Sequence, residues 1–281
     1  MSRRRLEYVG ETTAVSRNCQ ARTRRGALCG NPATSQIGGR ALCGLHLNSR
    51  GDEGGVLQRT LPSRSRTSLG ILHFSDLHRP RDHKEAIEVA SRHVGADAIV
   101  LTGDFALTGE PLYGGWNGIL ALARLAVPGN HDRPIKEVFS KSPEWVWRCP
   151  YVVRLGGFAV LGFDTGPTTE GYLDPGTVEE AVSCMRTMCD SIPPLAVLVL
   201  SHAPMRGTAH ARLARTLRGF FPSDRQIVFL HGHDHSRGGT FESVTFGAWS
   251  AYRSIVASGG DTIGHLLKVT QLTTSHEPLH R

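Results

Sequence analysis

Five short polar motifs contain the residue types that bind metal ions in proteins. Four of the five follow a short apolar run that is typical of a buried strand, where α/β proteins present active-site side chains. Carboxylates suit Mn²⁺ and Mg²⁺ and imidazoles suit Zn²⁺, Fe and Mn²⁺, so the mixture favours a catalytic centre with two metals. In chain order the motifs are Ser75-Asp76-Leu77-His78, Gly103-Asp104, Gly129-Asn130-His131-Asp132, Ser201-His202 and Gly232-His233-Asp234-His235.

Hydrophobic periodicity predicts the elements that must position these motifs. Strands and helices alternate first, and strands then cluster towards the end, which is compatible with an α/β fold. The predicted strands cover residues 69–74, 97–102, 123–127, 158–163, 195–200 and 226–230, with further β-segments near 240–247, 252–257 and 264–272. The predicted helices cover residues 83–94, 115–123, 175–190 and 208–218.

The ordered set of motifs resembles the calcineurin-like metallophosphoesterases, whose signature is D-x-H, G-D, G-N-H-[DE], H and G-H-x-H. Each motif alone is weak evidence, but the full set in this order is specific. The resemblance covers residues 69 to 270 and implies a four-layer αββα sandwich of two mixed sheets. It also implies hydrolysis of phosphoesters by a hydroxide that two metals activate. A phosphodiester is the expected substrate, and nucleic acid is suggested only by the arginine content described below.

The resemblance implies two sets of metal ligands that share one carboxylate. The shared residue is Asp104, since a carboxylate has two oxygens and can join two cations about 3.5–4 Å apart. The expected metal is Mn²⁺, while Fe, Ni and Zn also fit the ligand types. One metal is expected on Asp76, His78, Asp104 and His235, and the other on Asp104, Asn130, His202 and His233.

Substrate contacts are expected from Asn130, His131 and Arg206, and the resemblance supplies the role of His131. His131 is expected to contact the phosphate and to protonate the leaving group, with Asp104 or Asp132 as its carboxylate partner. Arg206 is expected to hold a phosphate oxygen, and the alternative interpretation, that it is a surface residue with no role in the site, has equal weight. Histidines outside the motifs, such as His73, are interpreted as ordinary core or surface residues.

The positive charge of the chain is concentrated at its N-terminal end. The net charge is +7, yet residues 1–70 contain 12 arginines, no lysine and four acidic residues. Localised arginine is the electrostatic footprint of a polyanion such as DNA or RNA. A solvated basic tail and a protein-binding segment are the alternatives.

A Cys₃His module is predicted within this basic segment. The spacing C-x9-C-x13-C-x2-H of Cys19, Cys29, Cys43 and His46 resembles short modules of phage and bacterial proteins that bind one structural Zn²⁺. Such a segment is too small to bury a core, so metal binding would supply its folding free energy. A disulfide would leave one cysteine over, and unrelated free thiols remain the other alternative.

The predicted organisation is a zinc module at 1–47, a flexible linker rich in Gly, Ser, Arg and Pro at 48–68, and a phosphoesterase domain at 69–275. No apolar stretch is long enough for a transmembrane helix and no signal peptide is expected, so the predicted location is the cytoplasm. Two other functions stay open. One is a cyclic-nucleotide, small-molecule or protein phosphatase that the module recruits to a partner, and the other is a non-catalytic phosphate-binding adaptor.

Overall fold

The computed structural model describes residues 35–37, 40–42, 56–61, 67–105, 119, 122–132, 149–165, 175–190, 192–204, 208–219, 224–246, 249–256 and 261–281. The chain divides into two units, Met1–Gly55 and Val56–Arg281. The described part of the first unit is an antiparallel pair of strands, β1 (Ser35–Ile37) and β2 (Arg40–Leu42). The predicted zinc ligands Cys19, Cys29, Cys43 and His46 lie outside the described residues.

The second unit contains two mixed β-sheets. Its strands are β3 (Leu57–Leu61), β4 (Ser68–Phe74), β5 (Ala98–Thr102), β6 (Leu125–Val127), β7 (Tyr151–Leu155), β8 (Phe158–Gly162), β9 (Ala196–Leu200), β10 (Gln226–His231), β11 (Thr240–Phe246), β12 (Trp249–Ile255), β13 (Thr262–Thr270) and β14 (Thr274–His280). The larger sheet has seven strands in the order β11-β12-β10-β9-β8-β7-β3. The smaller sheet has five strands in the order β14-β13-β4-β5-β6.

Three described helices cover the outer faces of the sheets. They are α1 (Pro80–Arg92), α2 (Pro175–Met188) and α3 (Thr208–Arg218), and a short 3-10 helix spans His235–Arg237. Proline at the first turn suits α1 and α2 because its missing N–H has no helical partner there. None of the helices in the described part of the chain is long and apolar enough to cross a membrane.

Strand β9 shows how the layers are built. All five of its residues are buried, which requires cover on both faces. Val197 and Val199 pack in a core cluster with residues of α2 and α3. Leu198 and Leu200 pack in a second cluster with residues of the five-stranded sheet. The seven-stranded sheet therefore lies between α2 and α3 on one side and the smaller sheet on the other.

Helix α1 closes the fourth layer. Its residues Ala86, Val89 and Ala90 are buried and form a third core cluster with Leu72 and Phe74 of β4. The spacing of these positions is that of one helical face. The prediction of two mixed sheets with helices is confirmed. The predicted helix near residues 115–123 falls mostly outside the described residues.

The structure differs from the sequence-based expectation at three strands. Strand β3 lies within the predicted linker at 48–68 and pairs in parallel with β7, which was itself not predicted. Strand β14 continues beyond residue 275 and pairs with β13. Both β3 and β14 are edge strands of polar sequence, so neighbouring strands decide their conformation more than local propensity does. Pro278 is tolerated in β14 because that strand is at an edge.

Gly162 is expected to be intolerant of a side chain. It faces Tyr151 across the β7–β8 pair, and a Cβ atom there would overlap three atoms of the buried phenol ring. The ring cannot easily move, because its hydroxyl donates a 2.9 Å hydrogen bond to the Ala126 carbonyl in the other sheet. Gly162→Ala should lower the free energy of unfolding in urea by about 1–3 kcal/mol. The control is Gly95→Ala, since no atom lies within 4 Å of a Cβ at Gly95. Equal stability of the two variants would contradict this packing.

Candidate metal centre

The motif residues follow the carboxyl ends of five strands. Strands β4, β5 and β6 are parallel neighbours in one sheet, and β9 and β10 are parallel neighbours in the other. Carboxyl ends of parallel strands meet at one edge of a sheet, so each sheet presents one half of the site. Asp76 and His78 follow β4, Asp104 follows β5, Asn130 follows β6, His202 follows β9, and His233 and His235 follow β10.

Three of these residues have a left-handed backbone conformation. The φ angles are 57° at Asp76, 51° at Asp104 and 65° at His233, and no other non-glycine residue in the described ranges has a positive φ. Such conformations are uncommon for residues with a side chain and concentrate at functional sites. Here each one turns the chain sharply at a strand end and directs a candidate ligand into the space between the strand ends.

The glycines of the motifs permit the close approach of these turns. A Cβ atom at Gly129 would overlap the Asp104 carboxylate, and one at Gly232 would overlap the side chains of Ser75 and Asp76. Gly103 has a φ of 85°, which a glycine adopts without steric cost. In the sequence, these glycines are recognisable only as members of the motifs, and their steric role is not visible. A glycine directly before a candidate ligand at a strand end is the signal that could have identified them as part of the site.

His202 lies at the centre of one group of donor atoms. Its Nε2 atom is 3.1 Å from Asp104 Oδ2, 3.0 Å from Asn130 Oδ1 and 3.1 Å from His233 Nδ1. Asn130 Oδ1 is also 3.0 Å from His233 Nδ1. These four residues are the set predicted for one metal, and the structure brings all four together.

His235 lies in a second group. Its Nε2 atom is 3.3 Å from Asp76 Oδ1 and 3.2 Å from His78 Nε2. His78 Nε2 is in turn 3.7 Å from Asp76 Oδ1 and 3.9 Å from Asp104 Oδ2. The structure therefore also brings together the four residues predicted for the other metal, and Asp104 contacts members of both groups.

The spacing of these donor atoms fits bound cations. Two ligand atoms that lie at right angles about 2.1 Å from one cation are about 3.0 Å apart. The Asp76, His78 and His235 atoms lie within 4.8 Å of one another, and so do the Asp104, His202 and His233 atoms. Buried carboxylates beside imidazole nitrogens suit divalent metals such as Mn²⁺, Fe²⁺, Ni²⁺ and Zn²⁺.

A hydrogen bond outside the donor cluster orients His202. Its Nδ1–H donates to the Thr102 carbonyl oxygen at 2.8 Å, and the ring is buried. A hydrogen bond from Nδ1 to a backbone carbonyl fixes the ring and leaves Nε2 facing the site as a candidate ligand atom. The Ser75 hydroxyl donates to the same carbonyl at 2.9 Å. Sequence reasoning missed this role of Thr102, because a backbone acceptor has no residue signature.

His202 and Asp104 stabilise each other's charges. Burial alone would lower the pKa of His202, but its hydrogen bond to Asp104 and the charges of Asp76 and Asp104 raise it to about 9. Burial would raise the pKa of Asp104, and the bond and charge of His202 outweigh this and lower it. A histidine must lose its proton to bind a metal, so metal binding here releases a proton and weakens as the pH falls.

Asp76 and Asp132 are buried carboxyl groups with opposite pKa shifts. Burial opposes the charge of Asp76, but its interactions with His235 and His78 hold its pKa well below the usual range. Burial, followed by the charge of Asp104, raises the pKa of Asp132 to about 7. Asp132 Oδ2 accepts hydrogen bonds from the backbone N–H groups of Asp104 (2.8 Å) and Gly129 (2.7 Å), which ties two motif loops together.

His131 lies at the exposed side of the cluster. Its side chain is 38% exposed, whereas that of Asp104 is 2% exposed. Its backbone N–H donates to Asp104 Oδ1 at 2.9 Å, its Nε2 atom is 3.9 Å from Asp104 Oδ2, and its ring meets the His78 ring edge-on at 5.0 Å between centroids. Asp104, one of its two predicted partners, therefore lies beside both the backbone and the ring of His131. Arg206 lies outside the described residues.

These features define a centre that can hold two divalent metals at the strand ends of an α/β sandwich. The model of the calcineurin-like phosphoesterase family matches residues 69–237, and the chain belongs to this family. The family hydrolyses phosphate esters and binds two divalent metals, and the donor groups of this chain could hold such metals. No curated protein sequence matches the chain.

Several solved structures are similar to this one at low sequence identity. A 5'-nucleotidase from Candida albicans has a TM-score of 0.49 and 14% identity, and the match covers 78% of this chain and 52% of that one. The chain thus spans about half the length of that nucleotidase. The Thermus thermophilus protein TT1561 has a TM-score of 0.49 and 18% identity, with 75% and 99% covered. The Escherichia coli phosphoesterase Yfce has a TM-score of 0.38 and 12% identity, with 74% and 98% covered.

Gly232→Ala is expected to damage the centre without unfolding the protein. The added methyl group overlaps Ser75 Oγ and Asp76 Oδ2, and both are held in place, Ser75 by the Thr102 carbonyl and Asp76 by the His233 N–H at 3.0 Å. Displacement of Asp76 should weaken Mn²⁺ binding about tenfold or more in calorimetric titration.

The matched control for this variant is Gly219→Ala at the end of α3. A Cβ atom there meets its nearest neighbour at 3.6 Å, an ordinary contact, so Mn²⁺ affinity should equal that of the wild type. Wild-type affinity in Gly232→Ala would show that the Asp76 carboxylate is not needed at its present position.

Proposed function

We propose that this chain hydrolyses phosphodiester bonds at a two-metal centre formed by the motif residues. The observation that carries the proposal is the convergence of donor atoms from both sheets on Asp104. Its Oδ2 atom is 3.1 Å from His202 Nε2 and 3.9 Å from His78 Nε2, which belong to the two different groups. A shared carboxylate between two groups of donors is the arrangement that a two-metal hydrolase requires.

The ligand assignment in this proposal is the one that the motifs predict. Asp76, His78, Asp104 and His235 hold one metal, and Asp104, Asn130, His202 and His233 hold the other. Two divalent cations in these positions supply a water of lowered pKa and positive charge for the phosphoryl oxygens. The protein contributes the two carboxylates that offset this charge and the fixed geometry that holds the reacting groups in line.

His131 is assigned to the leaving group. Its side chain is 38% exposed, whereas Asp76, Asp104 and His202 are buried, so it can reach a substrate without leaving the site. The bond from its backbone N–H to Asp104 Oδ1 holds it next to the shared carboxylate. A histidine in this position can donate a proton to the departing oxygen as a general acid.

Nucleic acid is the proposed substrate class, and this proposal rests on the distribution of positive charge along the chain. The N-terminal 70 residues contain 12 arginines, and the remainder of the chain is close to neutral. An arginine-rich segment attached to a phosphodiesterase can retain a polyanionic substrate through its phosphates. In the alternative, the enzyme acts on cyclic nucleotides, small phosphoesters or phosphoproteins, and the segment recruits a protein partner. A non-catalytic adaptor is disfavoured by the complete set of donors.

The test is hydrolysis in the presence of Mn²⁺ of a generic phosphodiester, single- and double-stranded DNA, RNA and cyclic nucleotides. Asp104→Ala should abolish turnover because it removes the carboxylate common to both groups. The control is Asp261→Ala, which removes an exposed carboxylate from the turn before β13 and should leave activity unchanged. Cleavage of nucleic acid with a steep loss of binding at higher salt supports the proposal.

Other outcomes of the same assay reject parts of the proposal. Turnover of small esters alone would exclude nucleic acid as the substrate and favour a protein partner for the N-terminal segment. Turnover that survives Asp104→Ala would exclude the two-metal mechanism. No turnover with Mn²⁺, Fe²⁺, Ni²⁺ or Zn²⁺ would leave the adaptor as the remaining function.

The variant His131→Ala tests whether His131 is a general acid or a metal ligand. The variant should keep two metals per chain and lose about 10²–10⁴-fold in kcat, because a general acid contributes that much to the rate. Metal content is measured by plasma mass spectrometry beside the kinetics, with His93→Ala at the end of α1 as the control. Loss of metal from His131→Ala would assign His131 to the ligand set instead.

A further inference from the structure

A buried polar network lies directly beneath the metal centre. His73 on β4 is fully buried, with Nε2 at 2.8 Å from the Thr102 hydroxyl and Nδ1 at 3.2 Å from the Ser254 hydroxyl. Burial, with a further contribution from His265, lowers the pKa of His73 to about 3, so the ring is neutral. A neutral ring has one donor and one acceptor nitrogen, and hydroxyl groups can complement both. The network is therefore satisfied without any charge.

The network connects the two sheets. His73 and Thr102 belong to the five-stranded sheet, and Ser254 belongs to β12 of the seven-stranded sheet. Ser254 is paired in register with Leu230 of β10, the strand that delivers His233. His73 thus links β4, which leads to Asp76, with β12 of the opposite sheet. Strand β12 is the neighbour of β10, which leads to His233.

The same network holds the acceptor that orients His202. Thr102 is the last residue of β5 and is followed by two residues with positive φ, Gly103 at 85° and Asp104 at 51°. Its carbonyl must stay aimed across the sheet boundary to accept the His202 Nδ1–H at 2.8 Å. The bond from its hydroxyl to His73 anchors Thr102 just before this turn.

We propose that His73 is a positioning residue of the metal centre, which it serves through Thr102 and Ser254. It fixes the Thr102 carbonyl that orients His202, and it fixes the separation of the ligands that come from the two sheets. The inference rests on the proposed two-metal centre and adds a residue to it that touches neither metal nor substrate. The ligands most affected are His202 and His233, because they come from the opposite sheet to Asp104.

The competing explanation is that His73 only fills space in the core. Four variants distinguish the two. Thr102→Val keeps the volume and the backbone carbonyl but removes the hydroxyl that binds His73, and Ser254→Ala removes the link to the other sheet. His73→Leu removes both links, and His73→Gln keeps a polar group that can reach Thr102. The packing control is Ile71→Val, two positions earlier on β4 and fully buried between the sheets.

Calorimetric titration with Mn²⁺ and metal content per chain are the primary measurements, with urea unfolding of the metal-free proteins in parallel. His73→Leu and Thr102→Val should bind Mn²⁺ about tenfold more weakly than the wild type, which is the low end of the loss seen when a group that orients a metal-binding histidine is removed. Ser254→Ala should also weaken binding, and His73→Gln should recover part of the loss. Ile71→Val should lose stability but keep wild-type affinity.

Three results would overturn the proposal. The first is wild-type Mn²⁺ affinity in both His73→Leu and Thr102→Val, and the second is a loss of affinity in Ile71→Val that matches theirs. The third is a wild-type protein that binds no metal, which also ends the proposed function. If the wild type binds two metals but hydrolyses no ester, only the proposed function is refuted. The role of His73 is then still tested by the Mn²⁺ affinities of the variants. If His73→Leu does not fold, Thr102→Val and Ser254→Ala decide.

Discussion

The face-to-face packing of the two sheets is the constraint on which the metal centre depends. Neither sheet contains a complete set of the proposed ligands: Asp76, Asp104 and Asn130 come from one, and His202 and His233 come from the other. Their donor atoms lie about 3 Å apart only because an apolar layer of both sheets sets the distance between them. The packing of the core therefore determines the distances between the candidate ligands in this protein.

The electrostatics of the centre follow from that packing. Two carboxylates lie in a buried space where like charges repel. His235 and His78 stabilise the charge of Asp76, and His202 stabilises that of Asp104. Asp76 accepts the His233 N–H and Asp104 accepts the His131 N–H. These contacts favour the charged form of both carboxylates, and a metal bound to His202 would replace its proton. The strand ends thus present two preorganised carboxylates on left-handed turns, and the packed cores beside them hold these turns in place.

Much of the fold and most of the candidate site could be predicted from the sequence. Strands such as β9 and β10 are continuous apolar runs, and each ends in a motif, so local pattern identified both the element and its ligand. Strands β3 and β14 could not be predicted, because their sequences are polar and they exist by pairing with β7 and β13. The link between His73 and Ser254 was also beyond prediction, since it joins residues 181 positions apart.

The sequence by itself determined the types of the candidate ligands, their order and their places at strand ends, because residue chemistry and hydrophobic periodicity are local properties. Tertiary structure decided the rest. In the folded chain, Asp104 lies between two groups of donor atoms, and Asp132 accepts hydrogen bonds from backbone N–H groups. His73, which is interpreted from the sequence as an ordinary histidine, links the two sheets. These assignments depend on distances between strands that are far apart in the chain, and only the packed sheets fix such distances.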